Sequence, residues 1–474
     1  MLRIINTNAT TRTPFSLWVS LAVLILFALT NTVVLAAGSK ESRLSDEAFP
    51  YLTDDQLPPR TPPLLELGDP FLGEGNLKPG FQILTGAVWQ PRFWVYGTLR
   101  SALSTHKLGN NSRSGEWANR LDLFGNLQLT GTERLLIGVQ PLHRDGNFSG
   151  HVFTPDSEDG WNDNSNFRIR ALFFEGDISE IFPRWDLLDS TPNDIGFSVG
   201  RQDIVFQDGM LISDNLDGVG VTRNSVRFQG VPWLINLRST FFFGWNEVHR
   251  DNNVEDRSAE IYGIFTAIDT LKSTINLDLA YVDSGDAARD DVLSIGLDAI
   301  QRIGKFSTTF RLLGSFATDS ETPSAGDGAL LFGDINWTPA YTNDIAYVTF
   351  FAGFDRYTSA ARDPLAGGPL GRVGLLFSAR GLGSFPAPLS NRAGDAYGGA
   401  VGYQFQMAET RRQLTFEAGV RKDDNNNGTD SVGIAGRLQQ AFGRRTVFTI
   451  EAFGTAHENN QPGAGIRTEI LLKL

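Results

Sequence analysis

From Arg92 to Leu474, apolar and polar residues alternate in short runs separated by turns. Phe93, Val95, Gly97 and Leu99 interleave with Trp94, Tyr96, Thr98 and Arg100. Leu121, Leu123, Leu127 and Leu129 interleave with Arg120, Asp122, Asn126 and Gln128, and the same rhythm returns around Ile235, Leu277 and Phe416. The chain ends on it: Ile466, Thr468, Ile470, Leu472 and Leu474 share one face, Arg467, Glu469 and Lys473 the other, with Leu471 out of phase. Strand side chains point to opposite faces with period two, so each run predicts a two-faced β-strand.

The connections predict how the strands are joined. Thr130 to Glu133, Gln229 to Pro232, Asp269 to Lys272, Arg302 to Lys305 and Gly443 to Arg445 are tight. Between them run long polar segments: His106 to Glu116, Pro141 to Ser165, Glu247 to Arg257, Ser284 to Asp291, Ala317 to Asp327 and Asp423 to Asp430. Short turns at one end and long loops at the other are the signature of a barrel in the outer membrane of a Gram-negative envelope. Counting every alternating run gives nineteen strands, but a barrel with both ends on one side requires an even number. Thr358 to Asp395 carries Pro364, Pro369, Pro386 and Pro388, unwelcome in central strands, so the run Arg372 to Ala379 is dropped. Eighteen remain, enough to enclose an aqueous channel. That long connection either folds into the pore or lies flat outside it. Ile178 to Asn193 falls where a short turn belongs, and Ile181 to Trp185 is expected to form a short helix there.

Ahead of the strands, Arg3 and Arg12 precede an apolar run from Phe15 to Leu29 and a second from Val33 to Ala37, which predicts a secretory signal peptide over 1–36. Residues 37–91, with Leu57-Pro58-Pro59-Arg60-Thr61-Pro62-Pro63 as the densest part, predict an irregular periplasmic segment, either a plain linker or a plug. The expected fold class is therefore all-β, a transmembrane antiparallel β-barrel over 92–474. Phe93, Trp94, Trp117, Trp233, Trp245, Trp337 and Tyr347 fall near predicted strand ends, where aromatic girdles belong.

Composition narrows the function classes. Fifty glycines and 11% aromatic residues suit a β-rich chain. The absence of cysteine excludes disulfide frameworks, thiol catalysis and a cysteine-linked lipid anchor. A net charge of -13 without a dense Lys/Arg run argues against nucleic-acid binding.

Whole charges recur in mid-strand, where a small soluble barrel would pack hydrophobes. The predicted pore-lining residues are Arg100, Arg120, Asp122, Arg168, Arg170, Gln202, Arg223, Arg227, Arg238, Asp278, Arg311, Glu417, Arg421, Arg437, Glu451 and Arg467. Arginine stays ionised and forks onto carboxylates and phosphates, so such a wall favours anions unless it is spent on lumenal acids. No cofactor or resident metal is expected. Asp423 to Gly428 mimics the start of a calcium loop, but Ile434 stands where the closing glutamate belongs. Ser149-Gly150-His151 is the nearest approach to a nucleophile beside a base, and His106, His143, His151, His249 and His457 all fall in or beside long loops.

Gly200-Arg201-Gln202, then Asp208-Gly209, then Asp217-Gly218-Val219, flanked by alternating strands, resembles the core of bacterial alginate-export porins over residues 166–228. The resemblance implies an outer-membrane barrel with an arginine-lined passage for anionic sugars or other solutes. Met210 stands where that pattern has a basic residue, which bears on the anionic substrate. Strand parity leaves Arg201 facing out unless a bulge at Gly200 turns it inward.

The expected function is a passive porin for hydrophilic, anionic or sugar-like solutes, not an enzyme. Its expected partners are outer-membrane lipid, lipopolysaccharide and the barrel-assembly machinery. A barrel enzyme acting on lipid or polysaccharide and a secreted soluble polysaccharide-binding β-protein are the alternatives.

Overall fold

Eighteen antiparallel strands, each hydrogen-bonded to the next, form the wall: β1 (Arg92–Lys107), β2 (Ser114–Gln128), β3 (Arg134–Val139), β4 (Ile169–Asp177), β5 (Ile195–Phe206), β6 (Ile212–Val226), β7 (Leu234–Trp245), β8 (Glu260–Thr270), β9 (Ser273–Asp283), β10 (Val292–Ile303), β11 (Phe306–Ala317), β12 (Gly328–Trp337), β13 (Ile345–Asp355), β14 (Ala396–Met407), β15 (Arg412–Asp423), β16 (Ser431–Phe442), β17 (Thr446–His457) and β18 (Gly463–Lys473). β18 closes the sheet on β1, with Ala464 opposite Lys107 and Lys473 opposite Thr98. Closure leaves the barrel without a free edge. The computed structural model describes residues 60–73, 77–185, 194–228, 230–285, 290–424 and 430–474. The predicted signal peptide, part of the proline-rich segment and most of the calcium-like loop lie outside the described residues.

The two faces of the wall differ as the alternation predicts. Leu312 is 55% exposed and Phe241 62%, with Ile264, Leu297, Phe416 and Ile466 exposed beside them on the outside. On the inner side Arg311 is 4% exposed, and Asp278, Asp298, Glu417 and Glu451 are buried with it. An apolar band of this extent on a water-facing surface would drive association, whereas acyl chains satisfy it. Trp117 and Trp233 are exposed on the barrel. Trp94 and Tyr347 instead carry polar handles inward: Trp94 donates to the Asp69 carbonyl at 3.1 Å and the Tyr347 hydroxyl to Glu417 at 2.5 Å.

Residues 60–91 lie against the short-turn end. Leu65–Leu67 pairs with Phe93–Val95 beside the start of β1, and the backbone of Gln90 donates to Leu129. A single helical turn, α1 (Ile178–Ile181), follows β4, capped by Asp177 accepting from the Ser179 amide at 2.8 Å. It stands earlier than the expected Ile181–Trp185 helix, because Pro183 disfavours a helical residue before it.

The segment between β13 and β14 is a loop that folds into the barrel. Its only strand is Ala361–Arg362, parallel to Ile212–Ser213, and the run Arg372 to Ala379 is turns, not a strand. Leu370, Leu376, Phe377, Phe385 and Leu389 from the loop join Leu216, Phe265, Leu313, Leu330, Phe351 and Phe453 of the wall in one buried cluster. The barrel's apolar core therefore sits within the lumen.

Candidate functional site

Charged side chains of the wall hold the inward loop at many points. Glu417 on β15 accepts the amides of Leu375 at 2.9 Å and Leu376 at 2.7 Å as well as the Tyr347 hydroxyl. Gly374 has φ +54°, and an added Cβ would sit 2.3 Å from the Glu417 carboxylate, so glycine is required there. Arg380 of the loop donates to Glu451 at 2.6 Å, which also accepts from Arg437 at 2.9 Å. Arg100 donates to the Arg380 carbonyl at 3.3 Å and Arg120 to the Gly381 carbonyl at 3.0 Å. Arg362 is fully buried and gathers the carbonyls of Gly209, Ala366 and Gly367. Glu417→Ala would orphan three donors at about 1–3 kcal/mol each. We expect hydrogen exchange at Leu375 and Leu376 to accelerate at least 100-fold, at about 1.4 kcal/mol per factor of ten, while the strand amides stay protected.

Most predicted lumen arginines are paired on the inner face. Arg100 and Arg467 share Glu469, Arg120 pairs with Asp122, and Arg421 with Asp423. Arg311 meets Asp298 at 3.6 Å and Asp208 at 2.5 Å. Gln202 faces inward, donating to Ser198 at 3.0 Å.

Four predicted residues lie elsewhere. Arg223 shares its register face with Val219 and Val221, and Val221 is exposed on the outside; the ladder is irregular just beyond, between Arg223 and Val226. Arg227 follows the end of β6 into a turn and is exposed. Arg168 precedes β4 and pairs with Asp145 and Glu247 in the long loops. Arg170 sits where the β3–β4 register slips and joins Asp203 to Asp363 of the inward loop. Gly200 has φ +122°, yet the β5–β6 ladder runs unbroken past it, so Arg201 keeps its outward parity and pairs with Asp217 at 2.9 Å and Glu247 at 2.7 Å.

The β5–β6 turn narrows the lumen from the opposite side. Gln207 and Asp208 adopt φ 54° and 50°, and Gln207 reaches Asp278 on β9 at 2.7 Å. The Asp208–Arg311 bridge lines two cavities. One, of about 770 Å³, is lined by Gln202, Arg238, Asn276, Asp278 and Asp298; the other, of about 310 Å³, by Phe332, Asp334, Arg372 and Gly374. Asp298 accepts from Asn276 at 2.7 Å and Asp334 from Asn336 at 2.9 Å. Among the described residues Arg238 and Arg372 are exposed and have no ion-pair or hydrogen-bond partner. An unpaired guanidinium thus stands in each cavity, with Arg311 between them. Arg372 was missed in the sequence because it belongs to an aperiodic loop.

At the long-loop end, burial and then the Arg120 charge push His143 down to about 4, below its ordinary 6.5. The depressed value keeps the ring neutral, so its stability contribution is complete above pH 6.5 and is lost as pH falls from about 6.5 to about 4. Amides of residues 140–166 should accordingly exchange faster at pH 4.5 than at pH 7 after correction for intrinsic rates. Burial opposes protonation of His249, but the hydrogen bond to Asp214 and the charges of Asp214 and Asp363 together outweigh it and raise it. Ser149 is engaged by the Asn164 amide at 2.9 Å, while His151 lies against Phe153 and Trp161, so the two do not form a nucleophile–base pair.

No known family profile matches the chain, and no curated protein matches it in sequence. Solved structures do match in fold. The crystal structure of Acinetobacter baumannii OccAB4 matches with TM-score 0.53 and 10% identity, covering 80% of this chain and 97% of that one. Pseudomonas aeruginosa OccK2 (OpdF) in complex with glucuronate matches with TM-score 0.54 and 10% identity over 81% and 98%. Pseudomonas aeruginosa OpdK with vanillate matches with TM-score 0.51 and 13% identity over 80% and 98%. At these identities the likeness is one of fold.

Proposed function

We propose that the protein is an outer-membrane porin that passes small hydrophilic solutes passively, with a preference for carboxylates and sugar acids. The observation that carries this is the pair of unpaired arginines, Arg372 and Arg238, standing in lumen cavities on either side of Arg311. Fixed positive charge at a constriction lowers the barrier for an anion and raises it for a cation. The exposed apolar belt supports a position in lipid, with both chain ends of the barrel on the short-turn, periplasmic side. Outer-membrane lipid and lipopolysaccharide would meet that belt, and the barrel-assembly machinery would insert it.

Two of the structures alike in fold hold carboxylate ligands, glucuronate and vanillate, which is in keeping with this substrate class. The alginate-export resemblance of residues 166–228 does not carry the reading: the solved structures alike in fold are Occ and Opd proteins, and Arg201 is spent in ion pairs on the outer side. No enzymatic role is proposed.

Proteoliposome swelling with a sugar acid and a neutral sugar of equal size tests the proposal. The acid should enter several-fold faster, and equal or slower entry of the acid would refute the preference.

A further inference from the structure

We propose that Leu65–Leu67, ahead of the barrel, lies in the membrane as part of its wall, with its apolar face against acyl chains of phospholipid in the leaflet at the short-turn end. The inference rests on the reading of the barrel as embedded in the outer membrane and extends that wall by one short strand. β18 stops at Lys473 opposite Thr98, while β1 begins at Arg92, so the short-turn end of β1 outlasts its neighbour. Leu65–Leu67 pairs there instead, with Leu65 opposite Val95 and Leu67 opposite Phe93. Backbone groups beside lipid find no water, so an edge left open at this seam would strand its N–H and C=O groups.

The register carries the apolar belt across the seam. Directly opposed residues of an antiparallel pair share a face. From Leu67 the row runs through Phe93, Leu127 and Leu135 to Phe174, and from Leu65 through Val95, Gly125 and Ile137 to Leu172. Leu135, Ile137 and Leu172 are exposed on the outside of β3 and β4, whereas Leu136 and Phe173, of opposite parity, are buried. Leu65 is 44% exposed and Leu67 55%, so the short strand presents the same bare apolar face as the belt it continues.

Polar contacts fix the strand with that face outward. Glu66, of opposite parity, accepts from Arg60 at 2.9 Å and from the Phe71 amide at 2.9 Å. Phe71 packs edge-on against Trp94 at 5.2 Å, and Trp94 in turn donates to the Asp69 carbonyl. From the other side of the seam, Arg445 in the turn between β16 and β17 donates to the Pro62 carbonyl at 2.8 Å. Continuity with the belt decides the occupant. A water-soluble partner would have to interrupt rows that acyl chains cover on β1 to β4, whereas lipid covers Leu65 and Leu67 without a break.

The chain has no cysteine, so a single introduced thiol can be labelled cleanly. Leu65→Cys and Leu67→Cys test the strand, with Phe241→Cys on the belt and Gly131→Cys in a tight turn as references; a Cβ added at Gly131 meets nothing within 4 Å. Each is labelled with an environment-sensitive nitrobenzoxadiazole and folded into phosphatidylcholine vesicles with or without chain-brominated lipid. Leu65 and Leu67 are half-exposed, so their replacement removes little packing, and heat-modifiable gel mobility reports the folded barrel. Labels at both positions are expected to emit at shorter wavelength than the label at Gly131 and to lose intensity in brominated lipid, as the label at Phe241 does. Water-like, unquenched emission at either position, with Phe241 quenched, would overturn the strand's place in lipid and leave the embedded barrel standing. Absence of quenching at Phe241 as well would overturn both.

Discussion

Replacing residues 364–392 by a short Gly-Ser linker is expected to raise single-channel conductance by roughly threefold or more, since an eighteen-strand barrel leaves an aqueous channel unless something fills it. The loop fills this one with Leu370, Leu376, Phe377, Phe385 and Leu389, packed on inward residues of the wall. Its polar anchors, Glu417, Glu451, Arg100 and Arg120, remain on strands that hydrogen-bond to each other without it. The wall should therefore stay closed, as heat-modifiable mobility would report. Unchanged conductance in a folded barrel would mean that solutes do not pass the loop at all.

Arg372→Glu is expected to slow entry of a sugar acid tenfold or more while leaving a neutral sugar within about twofold. A unit charge about 6 Å from a permeating carboxylate, at an effective dielectric near 20, contributes roughly 2–3 kcal/mol, and reversal of its sign doubles the difference before screening by salt. Arg372 is the group to change because Arg311 is already engaged by Asp208 and Asp298, so its loss would also disturb the partition between the cavities. Swelling rates for the two sugars measure the effect, and equal slowing of both would point to obstruction instead of charge.

Much of the wall was legible because outward and inward positions obey one period. Leu312 and Arg311 on β11 sit on opposite faces as alternation requires, and parity correctly removed Arg372 to Ala379 from the strands. The loop's inward course left a signal that alternation alone passes over. Leu312-Leu313, Leu330-Leu331-Phe332 and Phe350-Phe351 are consecutive apolar residues, and Leu313, Leu330, Phe332 and Phe351 are buried inside. Both faces are apolar there because one meets the outside and the other meets the loop.

Arg223 shares the parity of Val219 and Val221, so the period of two itself places it on the outer face, and the register slips only beyond it, toward Val226. Arg168 stands in the loop before β4, where no period applies. The Asp214, His249 and Asp363 cluster was invisible because its members are far apart in the chain and meet only when the inward loop docks.

The most direct test of the central account, a lipid-embedded wall around a water path governed by unpaired guanidiniums, is reversal potential in planar bilayers under a salt gradient. Discrete, ohmic steps with a reversal potential of the sign set by anion permeation are predicted. A cation-selective sign, or insertion of folded protein without conductance, would contradict it.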